Sequence, residues 1–141
     1  MRFASSPLRA RATYVGAALT TIAVGLLVHL GGAMLSPAAR DVLGDALWAA
    51  MIAWWVGALV PRARLLTRGT IAYGICTAVE LSQLYHTPTL DAVRSTGLGQ
   101  LVLGSGFDVR DLVAYAAGVS AAMLLEATAR AARSRATLTE G

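Results

Sequence analysis

Residues 80–86 read ELSQLYH, from Glu80 to His86, and close an apolar run that begins at Leu65. Residues 111–118 read DLVAYAAG, from Asp111 to Gly118, and open another. Hydrocarbon rejects an ionisable side chain by about 2.5–3.5 kcal/mol on insertion scales, so such groups need a partner or a wet cavity. Two polar stretches of this kind, set at the edges of long apolar runs, make the surrounding helices the wall of a polar core.

Four apolar segments approach the roughly 20 residues that cross a bilayer: 12–30, 42–60, 65–85 and 109–129. The first trails through Gly31 to Leu35 before Ser36-Pro37, the second stops at Pro61, and the third stops before Thr87-Pro88. The runs are too long for strands, rich in alanine and leucine, and lack a two-residue alternation. The expected fold is therefore all-α: a single integral membrane domain over residues 1–141, built as a four-helix transmembrane bundle with a long outer loop between the third and fourth spans. Composition agrees. Only 14% of residues are charged, against about a quarter in soluble domains, and the mean hydropathy is +0.60. A soluble core of 141 residues has too little interior for so much apolar surface.

All the basic residues are arginine. Arg2, Arg9 and Arg11 precede the first span, Arg62, Arg64 and Arg68 fall between the second and third, and Arg130, Arg133 and Arg135 follow the fourth. Positive residues stay inside, so both termini are expected in the cytoplasm. The basic balance thus points to a membrane rather than to nucleic acid. Arg40, Arg94 and Arg110 lie on the other side, each near an aspartate. Asp41, Asp108 and Asp111 suit helix starts, where a carboxylate caps free amides. Glu126, four residues before Arg130, reads as an intrahelical pair. The apolar run from Ala12 is longer than a signal-peptide core, so it is expected to be retained.

Small residues recur every four positions at Ala49, Ala53 and Gly57 and at Ala114, Gly118 and Ala122, a spacing that lets helices approach closely in lipid. Trp48 suits an interface; Trp54 and Trp55, deeper, are expected in packing. In the outer loop, residues 89–94 can form one or two helical turns. The rest, punctuated by Gly97, Gly99, Gly104 and Gly106, is expected to lie on the membrane surface or dip into the bundle as a lid. Cys76 stands alone in an apolar run and reads as a small buried hydrophobe.

On the third helix Tyr73, Cys76, Glu80 and Gln83 step by three or four and share a face. On the fourth, Asp111, Tyr115 and Gly118 do the same, and Asp45 enters from the second helix at the same level. Arg94 is the expected counter-ion, since its fork of donors can grip a carboxylate. The candidate ligand-binding residues are therefore Asp45, Glu80, Gln83, Arg94, Asp111 and Tyr115. Carboxylates this close share protons and can act as acid and base. With an arginine they can equally hold a polar headgroup or a sugar, or simply fix helix register. His29 and His86 fall at outer helix ends without metal-ligand spacing, so no metal and no cofactor are expected.

Glu80-x-x-Gln83, then Arg94, then Asp111-Leu112-x-x-Tyr115-x-x-Gly118 resembles the pattern of VanZ-like membrane proteins. These show E-x-x-Q in one span, an arginine soon after, and D-x-x-N-x-x-G-like spacing in the last span. The stretch from Gly44 through Asp45 to Trp48 resembles the acidic start of that family's second span; the family's asparagine is Tyr115 here. Closer still is the likeness to small bacterial membrane proteins known only as a domain of unknown function, carried by Glu80–His86 and by Leu103–Phe107. The resemblance implies a multi-pass protein of the bacterial inner membrane linked with the cell envelope. It implies no reaction, and whether the protein is an enzyme stays open. The expected function is binding of a polar or lipid-linked envelope ligand, with Arg94 on an anionic group and the carboxylates on hydroxyl or amine donors. The alternatives are a small transporter or proton-coupled subunit with Glu80 as carrier, and a structural partner of a membrane complex. Expected partners are membrane lipids and an envelope-derived ligand; a homo-oligomer is open, and nucleic acid is not expected.

Overall fold

The computed structural model describes residues 7–31, 35–104 and 106–139. Arg2, the Gly32–Met34 end of the first expected span, Ser105 of the Leu103–Phe107 run and the last two residues of the tail lie outside these. The described residues form six helices in order: α1 Pro7–Gly31, α2 Pro37–Leu59, α3 Leu65–Ser82, α4 Pro88–Arg94, α5 Gly97–Leu103 and α6 Val109–Thr139. The described residues contain no strand. Among the described residues, three helices are long and apolar enough to cross a bilayer: α1, α2 and α6 over Val109–Ala136. The protein is thus an all-helical membrane protein. The third expected span falls short of that standard. α3 has 18 residues, and Arg68 and Glu80 within it lower its hydropathy. Both are fully buried, so lipid never meets their charge.

Helix starts follow local chemistry. Ser36 caps α2, its Oγ accepting from the Ala39 N–H at 3.2 Å, with Pro37 in the first turn, where a missing N–H costs nothing. Asp41, expected to cap this helix, instead lies one turn inside it and is exposed. Asp108 does cap α6: its Oδ1 accepts from the Arg110 N–H at 2.8 Å. α3 stops at Ser82, three residues before the expected Tyr85. Pro88 disfavours helix at the residue before it, and Thr87 there caps α4 instead, accepting from the Leu90 N–H.

The long outer loop is a correction to the expected fold. Its first part is helical as residues 89–94 suggested, but α5 forms as well, through the glycine-punctuated stretch. Thr96 starts it by accepting the Gly99 N–H at 3.0 Å. Gly99 lies against the Val93 carbonyl of α4 with no room for a Cβ. The segment is a helical hairpin rather than an open loop.

α2 is the centre of the packing. It lies against α1, α3 and α6, and α3 also packs on α6. Both small-residue ladders face inward: Ala49, Ala53 and Gly57 are buried, as are Ala114, Gly118 and Ala122. At Gly118 a side chain would overlap the Ala46 carbonyl, so α2 and α6 touch backbone to backbone. Trp54 is buried and stacks on Tyr14, ring centres 6.5 Å apart. Trp55, expected in packing, is exposed, because neighbouring positions on a helix point about 100° apart. Leu19, Val24, Leu26, Leu27 and Leu30 leave α1 with an exposed apolar face, which suits lipid contact.

Candidate functional site

The buried face of α3 runs through Arg68, Ala72, Cys76 and Glu80, every fourth residue, with Gly69 buried beside Arg68. Tyr73, expected on the same face, is exposed. The face carries one polar group at each end, twelve residues or about 18 Å apart, with Ala72 and Cys76 fully buried between them.

At the carboxyl end of α3, Glu80 is fully buried and accepts three hydrogen bonds. Its Oε1 accepts from the Asp108 backbone N–H at 2.7 Å. Its Oε2 accepts from the Tyr115 hydroxyl at 2.9 Å and from Gln83 Nε2 at 3.1 Å. Three donors from three segments thus satisfy a carboxyl group that has left water. Tyr115 is buried and packs on Trp48 of α2, ring centres 5.6 Å apart. Gln83 is 5% exposed and its Oε1 has no hydrogen-bond partner among the described residues. Gly104 permits this arrangement: its φ is +68°, and a Cβ there would fall 2.5 Å from Gln83 Nε2.

Arg94 is not on Glu80. It donates from Nη1 to the Tyr85 carbonyl at 2.9 Å and from Nη2 to the Ser82 carbonyl at 2.6 Å, with Asp91 3.5 Å from Nη1. It is therefore a cation at the negative end of α3, adding a second donor to the Ser82 carbonyl, which also accepts from the Tyr85 N–H, and satisfying the Tyr85 carbonyl in the turn beyond. The expectation of a carboxylate counter-ion missed it because backbone carbonyls compete for the same donors. His86 turns away from the Glu80 cluster toward Asp91, at 3.2 Å.

Asp45 of α2 and Asp111 of α6 face each other within hydrogen-bonding reach. Together with Gln83, Tyr115 and Trp48 they line a cavity of about 620 Å³, within the usual range for a small-molecule site. Ile22 and Leu26 of α1 and Met51 of α2 form an apolar part of its wall, and α5 contributes Gly97, Gln100 and Leu103. Glu80 and Arg94 do not line it. Arg94 instead borders a smaller depression of about 370 Å³ with His86, Asp91 and Gln100. Among the described residues, no three His, Cys, Asp or Glu side chains gather as a metal site.

The other end of the bundle holds a cluster that the arginine count concealed. Glu126 Oε1 accepts from the Tyr14 hydroxyl at 2.6 Å and from Arg68 Nη2 at 2.5 Å, and pairs with Arg130 at 2.5 Å. The Arg68 guanidinium also lies over the Tyr14 ring, 5.1 Å from its centre. Gly57 makes the space, since a Cβ there would come within 2.8 Å of that ring. Arg68 had read as a loop arginine, although its position lies inside the apolar run beginning at Leu65. That overlap was the available signal. Tyr14, 112 residues before Glu126, offered none.

A membrane protein of packed helices, with buried carboxylates at both ends and a cavity at one, is the class these features define. The family described as a protein of unknown function, DUF2809, matches residues 34–119. The chain belongs to that family. All six candidate residues fall within the matched segment, whereas Tyr14, Glu126 and Arg130 lie outside it. No solved structure matches the chain.

Proposed function

We propose that this is a bacterial inner-membrane protein of four spans, with α3 as the short sheltered span and both termini cytoplasmic, that binds a polar or lipid-linked envelope ligand in the outward-facing cavity. The observation that carries the reading is the cavity itself: Asp45 of α2, Asp111 and Tyr115 of α6, and Gln83 just past the end of α3 converge on it. In this reading those four touch the ligand. Glu80 and Arg94 act as positioning residues, Glu80 by holding Gln83 and Tyr115, Arg94 by closing the end of α3. The helix α5 covers one side. The sequence resemblance to VanZ-like proteins supports a ligand from the cell envelope, and membrane lipids are the proposed partners.

The test is the set Asp111→Asn, Glu80→Gln and Arg94→Ala, with membrane abundance and glycopeptide tolerance both measured. Asp111→Asn is expected to keep abundance and lower tolerance. A fall in tolerance that only tracks abundance across the set overturns the binding reading.

The alternative of a small transporter or proton-coupled subunit gains one observation, the buried polar cluster around Glu126 at the opposite end. It stands second because Ala53, Ala72, Cys76 and Val119, all buried, belong to an apolar core with few groups to pass a proton between the two ends.

A further inference from the structure

We infer that the ligand of the Asp45–Asp111 cavity is a primary ammonium carried on an apolar body. This rests on the cavity's being the binding site and adds the chemical class of what enters it.

The cavity offers acceptors. Gln83 is more than nine-tenths buried, lines the cavity, and has a buried Oε1 without a partner among the described residues. Its orientation is set from behind: Nε2 donates to Glu80, which as a carboxylate accepts only, so the amide turns its oxygen to the other side. The Tyr115 hydroxyl proton is likewise committed to Glu80, leaving that oxygen an acceptor. Asp45 and Asp111 add carboxylates that face each other. A buried acceptor left unpaired costs about 1–3 kcal/mol, and a ligand with several N–H donors removes that cost.

The charge balance has the same sign. The charged and titratable lining comprises the carboxyl groups of Asp41, Asp45 and Asp111, of which the facing pair Asp45 and Asp111 can share a proton, against the guanidinium of Arg40, with His29 also in the wall, so acidic groups still outnumber the basic one. Arg94, the cation best suited to an anionic headgroup, is spent on the Ser82 and Tyr85 carbonyls and lies outside the cavity. Trp48 and Tyr115 place two ring systems in the same wall, and aromatic faces attract cations. Ile22, Leu26 and Met51 then supply a surface for an apolar chain. An ammonium satisfies the carboxylates, its N–H groups satisfy Gln83 and Tyr115, and its chain covers the α1 wall.

The experiment uses the full chain in phosphatidylcholine nanodiscs, titrated with dodecylammonium, dodecyltrimethylammonium, dodecyl phosphate, dodecyl maltoside and butylammonium, with the thermal midpoint and tryptophan fluorescence as readouts. Dodecylammonium is expected to bind at least about tenfold more tightly than the trimethyl form, which lacks N–H donors. Asp45→Asn, Asp111→Asn and Gln83→Leu are each expected to weaken it by a similar factor. Should these variants not fold, the comparison of headgroups on the unaltered chain decides alone. Butylammonium binding as tightly as dodecylammonium overturns the apolar body and identifies a water-soluble amine. Binding of the phosphate or the maltoside in place of dodecylammonium, lost in Asp111→Asn, overturns the ammonium and leaves the cavity reading standing. Binding of none overturns both.

Discussion

The Tyr115 hydroxyl donates to Glu80 Oε2 at 2.9 Å, so α6 is tied to α3 through a carboxyl group that meets neither water nor lipid. The same carboxyl group accepts from the Asp108 N–H just before α6, and so sets where that helix begins. Removing only the donor isolates this link. Tyr115→Phe is expected to lower stability by about 1–3 kcal/mol, read as a fall in the unfolding midpoint of the purified protein. An unchanged midpoint contradicts the role given to this bond.

The cluster at the other end is held by charge. Glu126→Ala leaves the fully buried Arg68 without its partner, and breaking a buried ion pair from one side costs about 3–5 kcal/mol. The double variant Arg68→Met with Glu126→Leu is expected to regain most of the loss, because apolar replacements carry no desolvation penalty. Denaturant unfolding of the single and double variants checks both. A double variant no better than Glu126→Ala contradicts the account.

Close backbone approach makes a separate prediction. Gly118→Ala puts a methyl group into the Ala46 carbonyl and must part α2 from α6. Overpacking of this kind costs about 1–3 kcal/mol. Gly16→Ala, where a Cβ meets nothing within 4 Å, is the matched control and is expected to be neutral. Membrane abundance and thermal midpoint distinguish the two, and equal behaviour counts against the packing described.

Arg94→Ala removes both bonds to the Ser82 and Tyr85 carbonyls. Loosening is expected in the turn after α3 and in the α4–α5 hairpin, with little change in α1 or in the second half of α6. Amide hydrogen exchange resolves this: faster exchange over residues 83–104 alone supports the positioning role, while uniform protection across the chain contradicts it.

Much was legible in the order of residues. Apolar length marked α1, α2 and α6. Ser36-Pro37 and Thr87-Pro88 marked where apolar runs end, and the structure adds that Ser36 and Thr87 cap the helices that follow, α2 and α4. The spacing of Glu80, Gln83 and Tyr115 predicted that they meet, and Glu80 accepts a hydrogen bond from each of the other two. Less legible was α5, because its glycines argue for a loop until Thr96 caps the helix and α4 packs beside it. The placement of Arg94 was also hidden: an arginine near several carboxylates does not announce that backbone carbonyls will claim it.

Sequence alone determined that these segments are apolar helices and at what level along each one its polar residues lie, since both follow from composition and a rise of 1.5 Å per residue. Which polar groups meet was decided by the tertiary structure. Rotation of each helix about its axis, set by packing at Gly57 and Gly118, selects the facing side chains. That rotation brings Tyr14 and Arg68 to Glu126, Asp45 to Asp111, and turns Tyr73 and Trp55 outward.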